Sequence, residues 1–121
     1  MKPILSLIQL NIERDEHFDR VIPFILRNKP EVVCMQEVCD KDIPFLVKAL
    51  GMECFYAPMA RQVYKGLPHI FGVAVFSKLP VSSRVAKYYH GNPEYIPVFM
   101  APDQNTVNHV LAYCDIVKDN S

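Results

Sequence analysis

The chain has 121 residues, 50% of them hydrophobic and 21% charged, which excludes intrinsic disorder and describes one globular unit with its own core. Lysine plus arginine (13) equals aspartate plus glutamate (13), so no net field exists to hold nucleic acid or an anionic surface without local patches. The four cysteines, Cys34, Cys39, Cys54 and Cys114, form no C-x-x-C pair, which argues for reduced thiols in a cytoplasmic protein and against a disulfide frame or a cysteine zinc site.

Residues 4–12 are apolar at nearly every position and predict an interior strand. They are too short, and too soon interrupted by Gln9, for a signal segment, and no later run approaches a membrane span. Residues 15–28 carry Phe18, Val21, Ile22, Ile25 and Leu26 at helical spacing, with acids at the start and Arg27 and Lys29 at the end. Pro23 falls inside this helix and Pro30 ends it.

Residues 30–38 follow, a continuous Val-Val-Cys-Met run closing on Gln36 and Glu37. Such a run reads as a strand buried on both faces that releases polar residues only at its carboxyl end. Strand, helix and strand with short links make a βαβ unit, whose strands are parallel. Asn11 and Glu13 close the first strand as Gln36 and Glu37 close the second, and ligands of open α/β sheets bind beyond those ends.

A second helix is expected with Asp40 as its N-cap, Ile43, Leu46, Val47 and Leu50 as its apolar stripe and Gly51 at its end. Residues 54–57 predict a short strand, 60–69 a polar loop, 70–77 a strand, and 81–89 another joined to it by the Lys78-Leu79-Pro80 turn. Residues 90–105, with Pro93, Pro97 and Pro102, predict an irregular loop and 106–117 a last strand. Asp119-Asn120 is a hairpin-opening pair whose partner strand does not follow, so the sheet is expected to be unfinished.

Leu10-Asn11-Ile12-Glu13, the Pro30 to Val38 run and Gly72-Val-Ala-Val-Phe-Ser-Lys-Leu-Pro80 together resemble, in order, the first three motifs of the endonuclease/exonuclease/phosphatase superfamily. The second is the specific one. The resemblance implies an α/β fold, a partial two-sheet DNase I-like sandwich with one sheet and two helices in this chain. It implies a phosphoesterase that cleaves phosphodiesters with Mg²⁺ or Mn²⁺, and a phosphate-ester partner, nucleic acid among the choices. Residue by residue, Glu37 matches the metal-binding glutamate and Asn11 the asparagine of the catalytic network. Glu13 falls where several members carry a metal-proximal aspartate, although a helix-start acid is an equal reading.

The resemblance covers only the amino-terminal half of the family's domain, so residues 1–121 are expected to be truncated at the carboxyl end. The later histidine, the Asp-x-Asn turn and the closing Asp-His pair of the family are not found. His90 and His109 lie outside the histidine context, and Asp115 lies within a predicted strand. Half a sandwich is expected to expose apolar sheet and to be inactive alone.

The competing reading is a non-catalytic binding or scaffold remnant of the same fold. A dinucleotide-binding βαβ domain is excluded by the first turn, Asn11-Ile-Glu-Arg14, which has no glycine. Arg61, Lys65, His69 and Arg84 could form a phosphate-binding rim, and Tyr88, Tyr89 and Tyr95 could stack on a base, though solvated charges and packed aromatics explain both sets.

Overall fold

In a computed structural model, described here over residues 4–118, the chain opens with β1 (Leu7–Asn11), α1 (Phe18–Asn28) and β2 (Val32–Cys39). The strands are parallel, Leu7 opposite Val32 and Asn11 opposite Gln36, as the βαβ reading requires. A single 3₁₀ turn, Asp40–Asp42, leads into α2 (Ile43–Leu50), and Gly51 ends it. Then come β3 (Glu53–Tyr64), β4 (Leu67–Ser77), β5 (Val81–His90) and β6 (His109–Ile116).

Four strands form one sheet in the order β1-β2-β4-β3, and β5 with β6 forms a separate antiparallel ladder. Strand alternation sends Val33 and Met35 of β2 and Ala74 and Phe76 of β4 to one face, where they are buried with Ile25 of α1 and Leu46 of α2. Both helices therefore cover that face. The other face meets β6, which lies against β3 and β4. Tyr88 donates to the Pro58 carbonyl (2.7 Å) and Arg84 pairs with Glu53 (2.6 Å) across that junction.

Several expectations are corrected. β1 is an edge strand among the described residues, and Leu7 is 52% exposed. The predicted polar loop at 60–69 is two long strands and a two-residue turn. Lys65 and Gly66 both adopt positive φ (51° and 80°), the conformation that a tight hairpin matched to strand twist requires, and pairing runs from Tyr64 opposite Leu67 inward. β5 does not return to the first sheet after the Lys78 turn; it pairs with β6.

Helix α1 begins at Phe18, three residues later than expected, because Glu13 and Arg14 both sit at positive φ (49° and 58°) and Asp15 is drawn elsewhere. Nor does Asp40 cap α2: its carboxylate accepts from the Ile70 amide (3.2 Å) instead. The loop at 91–108 lines the β3 edge, exchanging Arg61 N–H to the Pro97 carbonyl (2.7 Å) and Phe99 N–H to the Arg61 carbonyl (2.9 Å). The expected hairpin at Asp119-Asn120 lies outside the described residues. No helix among the described residues is long and apolar enough to cross a membrane.

Asp15 ties the first turn to the hairpin tip. Its carboxylate accepts from the Tyr64 hydroxyl (2.6 Å), Lys41 (2.9 Å) and Lys65 (3.0 Å). The Tyr64 bond, then Lys41 and Lys65, hold this carboxyl well below the usual aspartate range against the upward pull of burial. A depressed folded pKa gives stabilisation that is complete above the unfolded value, about pH 4, and is lost as pH falls toward the folded one. Asp15→Asn is expected to cost about 1.5–3 kcal/mol at neutral pH. Its melting temperature should converge on the parent's as pH drops below about 4; a constant gap over that range in thermal melts would show that charge on Asp15 is not what binds the turn.

Candidate active site

The carboxyl end of β2 is built around a bulge. Met35 pairs with Ala74 and Val38 with Gly72, so Gln36 and Glu37 together face the single residue Val73. Glu37 takes the extra position with φ 56°, a left-handed conformation that costs a non-glycine residue about 1–2 kcal/mol. Bulges re-aim side chains at functional sites, and this one turns an exposed carboxylate out of a strand whose neighbours Met35 and Val38 are buried.

Glu37 lines a cleft of about 360 Å³ together with Arg14, Gln62, Phe71, Phe99 and Gln104, and with Met59 and Val107. The guanidinium of Arg14 lies 5.0 Å from the centre of the Tyr64 ring and 5.6 Å from that of Phe71. Stacking fixes where that charge sits. The Arg14 amide donates to the Glu37 carbonyl (3.0 Å), so the turn after β1 is locked to the bulge. A cation and an acid thus share one opening, with two side-chain amides beside them. A larger open concavity of about 510 Å³ beside α1, lined by His17, Arg20 and Phe24, contains no carboxylate and offers nothing to a hard cation.

The three residues singled out in the sequence are placed differently from one another. Asn11 stands opposite Gln36, one residue short of Glu37, and its Oδ1 accepts the Glu13 amide (2.9 Å), the local turn bond. It does not line the cleft. The Glu13 carboxylate lies 3.4 Å from His17 Nε2, one helical turn on. Only Glu37 faces the cleft directly.

The basic rim expected from sequence is dispersed. Lys65 pairs with Asp15, Arg84 with Glu53, His69 with Asp40 (3.7 Å), and Arg61 Nε donates to the Ile96 carbonyl (3.0 Å). Tyr88 is spent on Pro58, Tyr89 stacks on His109 (5.7 Å), and Tyr95 is exposed. Arg14 is the cation that sequence reasoning passed over. The only trace of it is its place beside Glu13 in a glycine-free turn directly after a strand. All four cysteines are free thiols; Cys39 is fully buried, and burial pushes it up to about 11.

Solved structures with this layering include the endonuclease/exonuclease/phosphatase from Bacteroides vulgatus, 20% identical with a TM-score of 0.65 over 93% of this chain and 46% of that one. An endonuclease/exonuclease/phosphatase family protein from Leptotrichia buccalis matches at 13% identity and TM-score 0.65, over 96% of this chain and 50% of its own. A functionally unknown conserved protein from Enterococcus faecalis matches at 14% and 0.61, over 97% and 49%. The architecture is therefore the DNase I-like α/β fold, and the chain spans about half the length of these neighbours.

The family model described as the Endonuclease/Exonuclease/phosphatase family matches residues 8–114, and the chain belongs to that family, a group of nuclease-like and phosphatase-like proteins. No curated protein matches it.

Proposed function

We propose that this chain is the amino-terminal half of a Mg²⁺- or Mn²⁺-dependent phosphoesterase domain that hydrolyses phosphodiesters, nucleic acid among its candidate substrates. The observation that carries the reading is Glu37, turned by a left-handed bulge into the same cleft as Arg14. The donor set fits a hard cation: Mg²⁺ takes one or two carboxylates, retains several waters and completes its shell with substrate phosphate. Glu37 would hold the ion and Gln62 or Gln104 would orient its waters. The ion, when bound, supplies Lewis-acid polarisation of the phosphoryl group.

The chain's own residues do the rest of what this half contributes. Arg14, held against Tyr64 and Phe71, presents a fixed positive charge to the phosphate oxygens at no reorganisation cost during the reaction. Phe99, on the loop beside β3, excludes water from one wall. Asn11 stiffens the turn that carries Arg14, through its bond to the Glu13 amide. Glu13, beside His17 and outside the cleft lining, stays the secondary candidate for the ion.

A half-length span of the related structures and the exposed Ile4, Leu5 and Leu7, at and just before the edge strand β1, support a second half that completes the site. The test is hydrolysis of bis(p-nitrophenyl) phosphate with Mg²⁺ or Mn²⁺ by the chain and by Arg14→Ala. Weak or no turnover is expected from the chain. A rate near that of a complete family member would end the half-site reading, and inorganic phosphate binding that is unchanged in Arg14→Ala would end the role given to Arg14. A non-catalytic remnant of the fold is favoured by the engagement of Asn11 and Glu13 in local bonds; it predicts no Glu37-dependent metal binding at all.

A further inference from the structure

Past the Glu37 bulge, β2 ends on the buried Cys39, and the 3₁₀ turn that follows begins with Asp40. His69 of β4 reaches the same place from thirty residues away. The Cys39 Sγ lies 3.6 Å from Asp40 Oδ1, and Asp40 Oδ1 lies 3.7 Å from His69 Nδ1. All three ligand atoms fall within 4.8 Å of one another. We propose that Cys39, Asp40 and His69 form a binding site for a single zinc ion, separate from the Glu37 cleft.

The donor chemistry and the spacing both point there. Thiolate, imidazole and carboxylate are zinc's own ligand types, and bond lengths near 2.0–2.3 Å at tetrahedral angles put ligand atoms about 3.3–3.6 Å apart. Two of the three separations already lie within a few tenths of an ångström of that range. The Ile70 amide pins Asp40 Oδ1 (3.2 Å), the outer bond that orients a metal-binding carboxylate.

A cavity of about 260 Å³ opens on Asp40 and His69, leaving room for the water that completes a three-ligand site. Arg61, which also lines it, is held by the Ile96 carbonyl. The absence of a C-x-x-C pair hides this site in the sequence, because the sheet rather than local spacing assembles it. Binding would tie the end of β2 to β4 two residues beyond Glu37. The inference is independent of the phosphoesterase reading.

The test is titration of the chelator-stripped chain with Zn²⁺ in excess Mg²⁺, and with Co²⁺ followed by absorption. One equivalent of zinc that Mg²⁺ does not displace, a thiolate-to-cobalt charge-transfer band, and a raised melting temperature with zinc are expected. His69→Ala and Asp40→Asn, with thermal melts checking that each variant folds, should weaken zinc by at least the roughly tenfold seen on disturbing an outer-shell partner. Cys39→Ser should abolish the band, whereas Glu37→Gln should leave zinc binding intact.

No zinc binding, a cobalt complex without the thiolate band, or binding unchanged in His69→Ala would overturn the proposal. So would binding lost only in His109→Ala, which would put the metal on the His90 and His109 pair, whose rings lie 5.3 Å apart.

Discussion

Glu37→Gln is expected to leave the melting temperature within about a degree of the parent while weakening Mn²⁺ binding by on the order of tenfold or more. Glutamine keeps the size and the left-handed backbone of the bulge and removes only the charge. Glu37→Gly should remove the ion as well, yet raise stability by about 0.5–1 kcal/mol, because glycine adopts φ 56° without the penalty that glutamate bears there. The opposite signs separate site from scaffold. An ordinary surface acid gives no metal effect in either variant, and an ordinary strand residue loses stability on replacement by glycine. Mn²⁺ water-proton relaxation and thermal melts read the two quantities independently; a destabilised glycine variant would mean that the bulge is not strained.

This coupling explains which parts of the molecule were legible in the sequence. The run from Val32 to Val38 announced itself because a strand buried on both faces has almost no polar residues to spare, so a glutamine and glutamate at its end stand out. The parallel partner and the direction of both ends followed from the helix between them. The bulge did not follow, since nothing in Met-Gln-Glu-Val distinguishes a regular ladder from one carrying an extra residue. Arg14 was missed for the same reason: its value lies in the rings of Tyr64 and Phe71, which are fifty or more residues away in the chain and adjacent only after β3 and β4 pair.

The long hairpin was hidden by its chemistry. Arg61, Gln62 and Lys65 look like a solvated loop, but alternation puts Gln62 and Tyr64 inward and leaves Arg61 and Val63 exposed, as an antiparallel hairpin with one solvated face does. The departure of β5 from the first sheet could not be read either, because Lys78-Leu79-Pro80 permits a return or an exit and tertiary packing chooses. What the sequence reports well is local burial; what it reports poorly is which surfaces meet.

Gly72→Ala should be among the most damaging single methyls in the chain. Gly72 is where β4 passes between two irregular neighbours, opposite Val38 beyond the Glu37 bulge and opposite Pro58 beside a second irregularity in β3. A Cβ there would lie 2.9 Å from both the Ala57 carbonyl carbon and Pro58 Cα, and closer still to the Ala57 oxygen. These are backbone atoms of a paired strand, so no side chain can swing aside, and relief requires β3 to move away from β4. Overpacking of that kind costs about 3 kcal/mol, a fall in melting temperature on the order of 10 °C. Gly66→Ala is the control: its Cβ meets nothing within 4 Å, and only its φ of 80° opposes the change, at about 1 kcal/mol. If the two variants melt together, close approach of the strands is not what Gly72 provides. If Gly72→Ala alone collapses and takes Glu37-dependent Mn²⁺ binding with it, the glycine that lets β3 and β4 close also sets the register that aims the acid.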